Sequence, residues 1–150
     1  MVGPSSDIMS TEDREKLKLQ LMRHEGIRLK VYADTVGVPT IGVGRNLRAK
    51  GISYDEAQFL LENDLDDCIH DCIRFPWFIE LDAVRQRAVV DLRFNLGSKG
   101  LRTFKKFLAC MAIQAYARAA RQLEQSKWFG QVKTRGPRIV QMIEFAKDPL

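Results

Sequence analysis

The spacing of apolar residues changes along this chain, and that change limits the folds it can adopt. Between Leu29 and Val43, apolar side chains alternate with polar residues or glycine around a turn-rich centre, which is typical of β-strands. Elsewhere, apolar residues recur every three or four positions, as in amphipathic helices. One β segment in an otherwise helical chain predicts a mostly helical α+β fold with a hairpin or short antiparallel sheet.

Capping residues and glycines divide the rest of the chain into six predicted helices. These are expected near residues 11–24, 53–73, 82–96, 104–111, 115–125 and 137–146. Ser53 and Glu56 form a capping-box pattern, and Gly26 and Gly97 follow predicted helices as stops. We expect one domain with a small lobe at about 11–52, a connecting helix at about 53–73, and a helical lobe at about 74–150 that includes the first helix.

Length and composition fit one globular domain. The chain has 150 residues, of which 45% are hydrophobic and 29% charged, and its three cysteines are Cys68, Cys72 and Cys110. An odd number of cysteines in a chain that can bury a core predicts reduced, buried thiols and no disulfide framework. No stretch is apolar enough for a membrane span or a secretory signal, so we expect a protein made in a cytoplasm and without an export signal of its own.

Charge is distributed unevenly. Residues 1–75 carry a net charge of −3, from 10 basic and 13 acidic residues, whereas residues 76–150 carry +8, from 14 and 6. The basic half predicts a polyanionic partner or an anionic surface. Nucleic acid, phospholipid and anionic wall polymers all fit this charge, but no DNA-reading motif accompanies it, so no nucleic-acid partner is expected.

Several catalytic and metal motifs fail on spacing. In Cys68-x-His70-x-Cys72 the histidine points away from the helix face that the cysteines share, so neither a zinc site nor any other metal or cofactor is expected. The chain has two histidines, which leaves little for a serine or cysteine triad. Gly42-x-Gly44 lacks the remainder of a phosphate-binding loop. Carboxylates remain as the candidate catalytic groups.

One carboxylate stands out by its position. Glu25 continues the i, i+4 series of Leu17 and Leu21, which predicts the buried stripe of the first helix. The negative end of the helix dipole and burial would both favour the neutral acid, the form that a general acid needs. The alternative is an exposed glutamate that happens to precede Gly26.

The segment after the predicted turn has an unusual distribution of glycines. A strand there would place Thr40, Gly42 and Gly44 on one face and the apolar residues on the other. Because glycine weakens a strand, two on one face suggest that something bulky, such as a sugar ring, lies against the backbone. A tight bend or bulge would explain the same glycines. Asp34, in the turn, would alone indicate only local hydrogen bonding.

These residues together carry a resemblance to a known family. The run HEGIRLKVYADT at 24–35, followed by TIGVG at 40–44, resembles the signature of T4-type phage lysozymes, the endolysin family of muramidases. The similarity continues through LDAVR at 81–85, FNLG at 94–97, Phe104, Trp128, Arg135 and Arg138, and so covers roughly residues 13–145. It implies a lysozyme-like fold that hydrolyses the β-1,4 bond between N-acetylmuramic acid and N-acetylglucosamine in bacterial peptidoglycan.

The resemblance also implies roles for individual residues. Glu25 would be the general acid, Asp34 would position or activate the attacking water, and Thr40 would help to hold it. Family members are regarded as inverting, which implies carboxyl groups roughly 6.5 to 9.5 Å apart. Arg135 would pair with Glu25. Substrate contacts are expected on two walls of a cleft between the lobes, from Gly44, Asn46, Phe94, Asn95 and Lys127.

Some positions depart from the family pattern. Arg45 stands where the best-studied relative has a histidine in a structural ion pair, so that pair cannot be transferred. The segment 48–52 is short, which predicts less sheet and loop in the small lobe. Arg135-Gly136-Pro137 is an unusual helix entry, although proline is acceptable in a first helical turn. None of these departures removes a predicted catalytic residue.

Two alternatives to a hydrolase come from other classes. A catalytically inactive, peptidoglycan-binding lysozyme-like protein would keep the cleft and the basic half, and a basic helical nucleic-acid binder would explain the charge alone. The expected partners are peptidoglycan and, through the basic half, anionic wall or outer-membrane polymers, with the chain a monomer. Family habit implies accumulation in the host bacterial cytoplasm until release to the wall, although injection would leave the same sequence.

Overall fold

A computed structural model describes residues 8–149 of the chain. These residues form two compact units, an N-terminal unit of residues 8–57 and a C-terminal unit of residues 58–149. The first seven residues, which are part of the segment in which the sequence predicts no secretory signal, lie outside the described residues.

The N-terminal unit opens with helix α1, Thr11–Glu25. The Ser10 side chain accepts a hydrogen bond from the backbone N–H of Asp13 at 3.1 Å, and Gly26 ends the helix with φ 75°. These are the predicted start and stop. The predicted buried stripe is wrong, because no residue of α1 is buried: Leu17 is half-buried and Leu21 is 42% exposed.

A three-stranded antiparallel sheet follows, in the order β1-β2-β3. Its strands are β1, Arg28–Ala33; β2, Pro39–Gly42; and β3, Arg45–Asn46. Thr40 at its centre pairs with Tyr32 on one side and Asn46 on the other. Thr40 is the one buried residue among the described residues of this unit. The small antiparallel sheet confirms the predicted α+β fold, and its third strand is very short.

Helix α2, Tyr54–Ile73, begins with the predicted capping box. The Glu56 N–H donates to the Ser53 hydroxyl at 3.1 Å, and the Ser53 N–H donates to Glu56 Oε1 at 2.8 Å. Arg45 adds a 2.6 Å ion pair to the same oxygen. The hydrogen bonds from Arg45 and from the Ser53 backbone lower the pKa of Glu56 to about 2. Arg45, which departs from the family pattern, thus forms an ion pair with Glu56.

Five further helices and a 3₁₀ turn complete the C-terminal unit. They are the 3₁₀ turn Phe78–Glu80, α3 Ala83–Arg102, α4 Lys105–Ala112, α5 Tyr116–Glu124, α6 Lys127–Gln131 and α7 Arg135–Phe145. The hydrophobic core of this unit contains residues from each of these elements, together with Cys72 of α2. Its largest fully buried side chains include Phe107, Leu92 and Leu101.

The sequence places the helices of this unit well but misses details. Gly97 has φ 78° and breaks α3 where the sequence predicts a stop, although helix continues to Arg102. Helix α6 is missed by the periodicity because it has five residues. Helix α7 begins two residues earlier than predicted, so that Pro137 lies within its first turn.

Arg85 joins the start of α3 to the end of α7. Its Nε donates to the backbone oxygen of Ile143 at 2.6 Å, and its Nη2 donates to that of Glu144 at 2.9 Å. These carbonyls are among the last four of α7, which have no intrahelical partner. The guanidinium also lies 3.7 Å from the centre of the Tyr116 ring. One side chain thus satisfies a helix end and packs on α5.

The cysteines lie as free thiols. Cys68 and Cys72 are buried as predicted, whereas Cys110 is only half-buried. His70 directs its Nδ1 to the backbone oxygen of Asp66, 2.8 Å away. Within residues 8–149, no group of three or more histidine, cysteine or acidic side chains is arranged to hold a metal ion. No helix in that range combines the length and apolarity needed to cross a membrane.

Candidate active site

The Glu25 carboxylate lies against the loop that joins β2 to β3. A Cβ atom built on Gly44 would be 3.1 Å from Glu25 Oε2 and 3.5 Å from its Cδ. Gly44 has φ 68°, a conformation that L-residues with side chains rarely adopt. The glycines predict a bulky group against the backbone. At Gly44 that group is the side chain of Glu25, the candidate general acid. Glu25 is exposed, which contradicts its predicted place in a buried stripe.

The strand predicted to run through Gly44 ends earlier. Gly42 closes β2, and the paired residues Ile41 and Arg45 enclose a three-residue loop, 42–44. Gly42 also has φ 68°, but an added Cβ there would meet nothing within 4 Å. The two glycines therefore serve a tight turn, the alternative that the sequence left open, and only Gly44 also faces another side chain.

Asp34 organises the β1–β2 turn. Its Oδ1 accepts hydrogen bonds from the backbone N–H groups of Val36 and Val38, at 2.9 and 2.8 Å. This is the local hydrogen bonding expected of an aspartate in a turn. Since Oδ1 is occupied twice, Oδ2 is the oxygen that remains to accept a hydrogen bond from another group.

Thr40 is 4% exposed, and its hydroxyl has a defined direction. Its Oγ1 donates to the backbone oxygen of Val38 at 2.8 Å. With its proton committed, the hydroxyl can act toward a further group only as an acceptor. Val38 thus connects the two candidates, because its N–H binds Asp34 and its carbonyl binds Thr40.

Asn46 has a local role in the N-terminal unit. It ends β3, and its Oδ1 accepts a hydrogen bond from the N–H of Ala49 at 2.9 Å. The side chain therefore shapes the turn after the strand. Its contact with substrate stays a prediction, and the amide nitrogen of the side chain would have to make that contact.

Two other predicted site residues lie together in the C-terminal unit. Phe94, on α3, and Arg135, the first residue of α7, line one groove of about 600 Å³. Asp91 lies in the same groove, with its Oδ1 2.9 Å from Arg135 Nε. The predicted partner of Arg135, Glu25, belongs to the other unit, and that pair stays a prediction.

Asp91 is a polar residue that the sequence analysis missed. Its Oδ1 is buried and, among the described residues, accepts no hydrogen bond of good geometry, so its contact with Arg135 is one of charge. The signal was present, because Asp91 follows the core residue Ala88 by three positions on α3. An acid at an apolar position is the same signal that identified Glu25.

Asn95 and Lys127 are each connected to Trp128, Asn95 by a hydrogen bond and Lys127 as its neighbour in the chain. The Asn95 Oδ1 accepts a 2.7 Å hydrogen bond from the indole Nε1 of buried Trp128, which joins α3 to α6. Lys127 precedes that tryptophan, at the first position of α6, and is exposed. Asn95 therefore has a structural partner, and its predicted contact with substrate would have to use the amide nitrogen.

Comparisons with known proteins identify a family to which the whole central part of the chain is similar. A family model described as phage lysozyme matches residues 22–138, most of the chain. Among curated proteins, the chain is 29% identical to the pre-baseplate central spike protein Gp5 of Enterobacteria phage T4, over 93% of this chain. It is 27% identical to the probable T4-type lysozyme 1 of Dictyostelium discoideum, over 85% of this chain. It is 36% identical to the endolysin of Salmonella phage P22, over 52% of this chain.

The matches cover very different shares of these relatives. The chain spans 30% of the length of the spike protein and 58% of the endolysin, but 93% of the Dictyostelium lysozyme. The alignment with the Dictyostelium protein thus extends over nearly the whole length of that relative.

Proposed function

Because the chain belongs to the phage lysozyme family of glycoside hydrolases, we propose that it hydrolyses the β-1,4 bond between N-acetylmuramic acid and N-acetylglucosamine in bacterial peptidoglycan. Glu25 is the general acid in this proposal, and Asp34 and Thr40 position the attacking water. The reaction proceeds with inversion, for which the two carboxyl groups stand roughly 6.5 to 9.5 Å apart.

The observation that carries the proposal is the position of Glu25 beside Gly44. The end of α1 places a carboxylate against a backbone segment without a side chain, and the missing side chain at Gly44 lets that carboxylate take up this position. Asp34 and Thr40 belong to the same unit and are linked to each other through Val38. An acid and a water-binding pair in one small unit are the parts that glycoside hydrolysis requires.

The hydrogen bonds of the site support a division of roles. Protonated Glu25 gives its proton to the bridging oxygen as the bond to the sugar breaks. The attacking water, on the opposite face of the sugar, donates one hydrogen bond to Asp34 Oδ2 and the other to Thr40 Oγ1. Both atoms are acceptors here, because Asp34 Oδ1 is occupied by two amides and the Thr40 proton by Val38. Asp34 takes the proton that the water loses.

Replacement of Glu25 tests the proposal. Glu25→Gln keeps the shape of the side chain but removes its acidic proton, so product release should fall by about 100-fold or more. The measurement is mass spectrometry of digested peptidoglycan, in which a muramidase leaves reducing-end muramic acid. Glu15→Gln, on the exposed surface of the same helix, is the matched control and should digest like the wild type.

Other products would contradict the proposal. Anhydromuramic ends would indicate a lytic transglycosylase, cut peptides would indicate a peptidase, and no product from the wild type would favour the inactive peptidoglycan-binding alternative. Inversion is tested separately by NMR of the first product, whose reducing end should form with the anomeric configuration opposite to that of the substrate.

The route to the wall is part of the proposal. We expect the protein to accumulate in the host cytoplasm and to act as a monomer after release, as an endolysin does. Delivery with a virion is the alternative, since relatives include both an endolysin and a spike protein. Detection of the chain in purified particles would favour the second route.

A further inference from the structure

The C-terminal unit contains another concave surface. A pocket of about 530 Å³ lies between the 3₁₀ turn and the loop that joins α4 to α5. It shares no lining residue with the groove of Phe94 and Arg135. Its side chains include Trp77, Tyr116, Glu80 and Gln114, and we call it the aromatic pocket.

Both rings of the aromatic pocket are held in place from one side. The Trp77 ring stacks on Phe75, with ring centres 5.1 Å apart and an angle of 17° between planes. The Arg85 guanidinium lies 3.7 Å from the centre of the Tyr116 ring. Since one face of each ring is already covered, only the opposite face or the ring edge is left for the pocket. Fixed aromatic surfaces of this kind can stack on the apolar face of a pyranose.

Polar groups of two kinds accompany the rings. Glu80 and Gln114 are both exposed, and neither side chain makes a hydrogen bond to another described residue. A carboxylate accepts hydrogen bonds from hydroxyl and amide groups, and a carboxamide both donates and accepts them. A small number of polar groups that point into a pocket with aromatic walls is typical of a site for a small ligand.

Gln114 occupies a position at which glycine is preferred. Helix α4 ends in a Schellman motif, with the Ala115 N–H bonded to Cys110 O at 2.8 Å and the Gln114 N–H bonded to Met111 O at 3.1 Å. Gln114 therefore has φ 59°, which glycine adopts without strain. The Gln114 side chain at this left-handed position lines the pocket.

We infer that the aromatic pocket binds an N-acetylglucosamine unit of a glycan strand, with Trp77 and Tyr116 against the sugar and Glu80 and Gln114 bonded to its polar groups. The carboxylate of Glu80 can accept hydrogen bonds from the hydroxyl and amide N–H groups of the sugar. The choice of a glycan ligand rests on the proposed function, whereas the pocket itself does not.

A second site on a polymer raises the effective concentration of the chain at the glycan. Loss of the aromatic pocket should therefore slow the digestion of insoluble peptidoglycan while leaving the cleavage of short soluble fragments unchanged. This difference separates a binding role of the pocket from damage to the catalytic machinery.

The direct test uses the soluble trimer of N-acetylglucosamine with the Glu25→Gln protein, in which turnover does not interfere. The chain has two tryptophans, and Trp128 is buried in the core. In a proton–nitrogen NMR titration, the indole signal of Trp77 and the backbone signal of Gln114 should shift. The indole signal of Trp128, which is bonded to Asn95 of the predicted cleft, reports binding at that cleft separately.

The variant Gln114→Gly gives the sharpest result. It should weaken trimer binding at the pocket at least about five-fold, while its melting temperature stays equal to or above that of the parent because the strain is relieved. Ala146→Gly is the matched control, since Ala146 also has a left-handed backbone at a helix end, with φ 52°, and does not line the pocket. It should leave trimer binding unchanged.

Two outcomes would overturn the inference. One is a set of shifts that spares Trp77 and Gln114, and the other is a Gln114→Gly protein that binds the trimer as tightly as its parent. Trp77→Ala should abolish the pocket shifts, and if that variant fails to fold, Glu80→Gln replaces it with an expected loss of affinity. Absence of muramic products from the wild type, with the pocket shifts intact, would refute only the proposed function.

Discussion

The absence of a side chain at Gly44 leaves space for the carboxylate of the candidate catalytic residue Glu25. Its backbone has φ 68°, and the atom closest to where its Cβ would stand belongs to the Glu25 carboxylate. Position 42 has the same φ but open space around it. Substitutions at Gly42 and Gly44 can therefore be compared to separate the effect of backbone strain from the effect of contact with the Glu25 carboxylate.

We predict that Gly44→Ala lowers peptidoglycan hydrolysis by about 10- to 100-fold, because the new methyl group displaces Glu25 from its position. Gly42→Ala should cost a similar amount of stability, about 1–2 kcal/mol, without that displacement. Urea unfolding and product release are measured for both variants. Equal activities of the two would refute the role assigned to Gly44.

Gly136 lies at the start of α7, and the residues packed around it explain why glycine occupies this position. An added Cβ would lie 2.8 Å from Phe129 Cδ2 and 3.2 Å from the Phe129 backbone oxygen. Since the backbone cannot move as a side chain can, Phe129 of α6 leaves no room for alanine here. Sequence alone shows a glycine in a helix, which costs stability without an evident reason.

We predict that Gly136→Ala destabilises the protein by about 1–3 kcal/mol, because overpacking outweighs the higher helix propensity of alanine. The control is Gly130→Ala in α6, where nothing lies within 4 Å of the added atom. That change should be neutral or stabilising by up to about 1 kcal/mol. The free energy of unfolding in urea decides, and a stable Gly136→Ala protein would contradict the packing argument.

At the scale of elements, a buried charge cluster joins α2 to α3. Asp71 is 9% exposed, and its carboxylate meets Arg93 Nε at 2.6 Å and Arg102 Nη2 at 2.9 Å. Burial opposes the ionisation of Asp71, but hydrogen bonds from Arg102, Arg93 and Ser98 outweigh it and lower the pKa to about 2. The helices are thus held together by a carboxylate that must stay charged.

This lowered pKa predicts a loss of stability in acid. Because the carboxylate has an ordinary value of 3.8 when unfolded, its contribution is complete above about pH 4 and is lost as the pH falls toward 2. The contribution is about 2 kcal/mol, from about 1.4 kcal/mol for each pKa unit. Asp71→Asn should be less stable at pH 7 and should lose less between pH 4 and pH 2 than the wild type.

The matched control for this cluster is Glu62→Gln. Glu62 is exposed on the same helix and makes no ion pair with another described residue. Its stability should fall between pH 4 and pH 2 as that of the wild type does. An Asp71→Asn protein with an unchanged pH dependence would show that the cluster does not stabilise the folded state as a charged group.

At the scale of the whole molecule, charge is separated along the chain. Residues 99–138 contain 10 basic residues and one acid, Glu124, which pairs with Arg121 at 2.6 Å. In the described part of the chain, seven of these cations form no ion pair with a side chain: Lys99, Lys105, Lys106, Arg118, Lys127, Lys133 and Arg138. Helix α2, by contrast, contains seven acids and no lysine or arginine.

We predict that the basic segment attracts the enzyme to anionic wall polymers. Digestion of isolated walls should slow several-fold between about 20 and 200 mM salt, over which screening becomes strong. The double variant Lys105→Glu/Lys106→Glu should lose part of this dependence, and Lys50→Glu/Lys147→Glu, with the same change of net charge, should keep more of it. A rate independent of salt on walls of equal integrity would refute the attraction.

The local structure of this protein follows from patterns in its amino-acid sequence. The cap at Ser10, the capping box at Ser53 and the stop at Gly26 lie where predicted, and Gly97 breaks α3 at the predicted position, because each depends on groups a few residues apart. The change from helical to alternating spacing of apolar residues predicted the position of the sheet for the same reason. The family motif named the candidate residues but could not supply their surroundings.

Contacts between residues that are distant in sequence depend on how the elements pack. The tertiary structure placed Glu25 beside Gly44, Arg85 at the end of α7, and Asp91 beside Arg135, and it left α1 without the buried stripe that its leucines predict. A spacing rule states which face of a helix is apolar, whereas burial depends on whether another element packs on that face. Contacts between residues far apart in sequence are set by packing, which no local pattern contains.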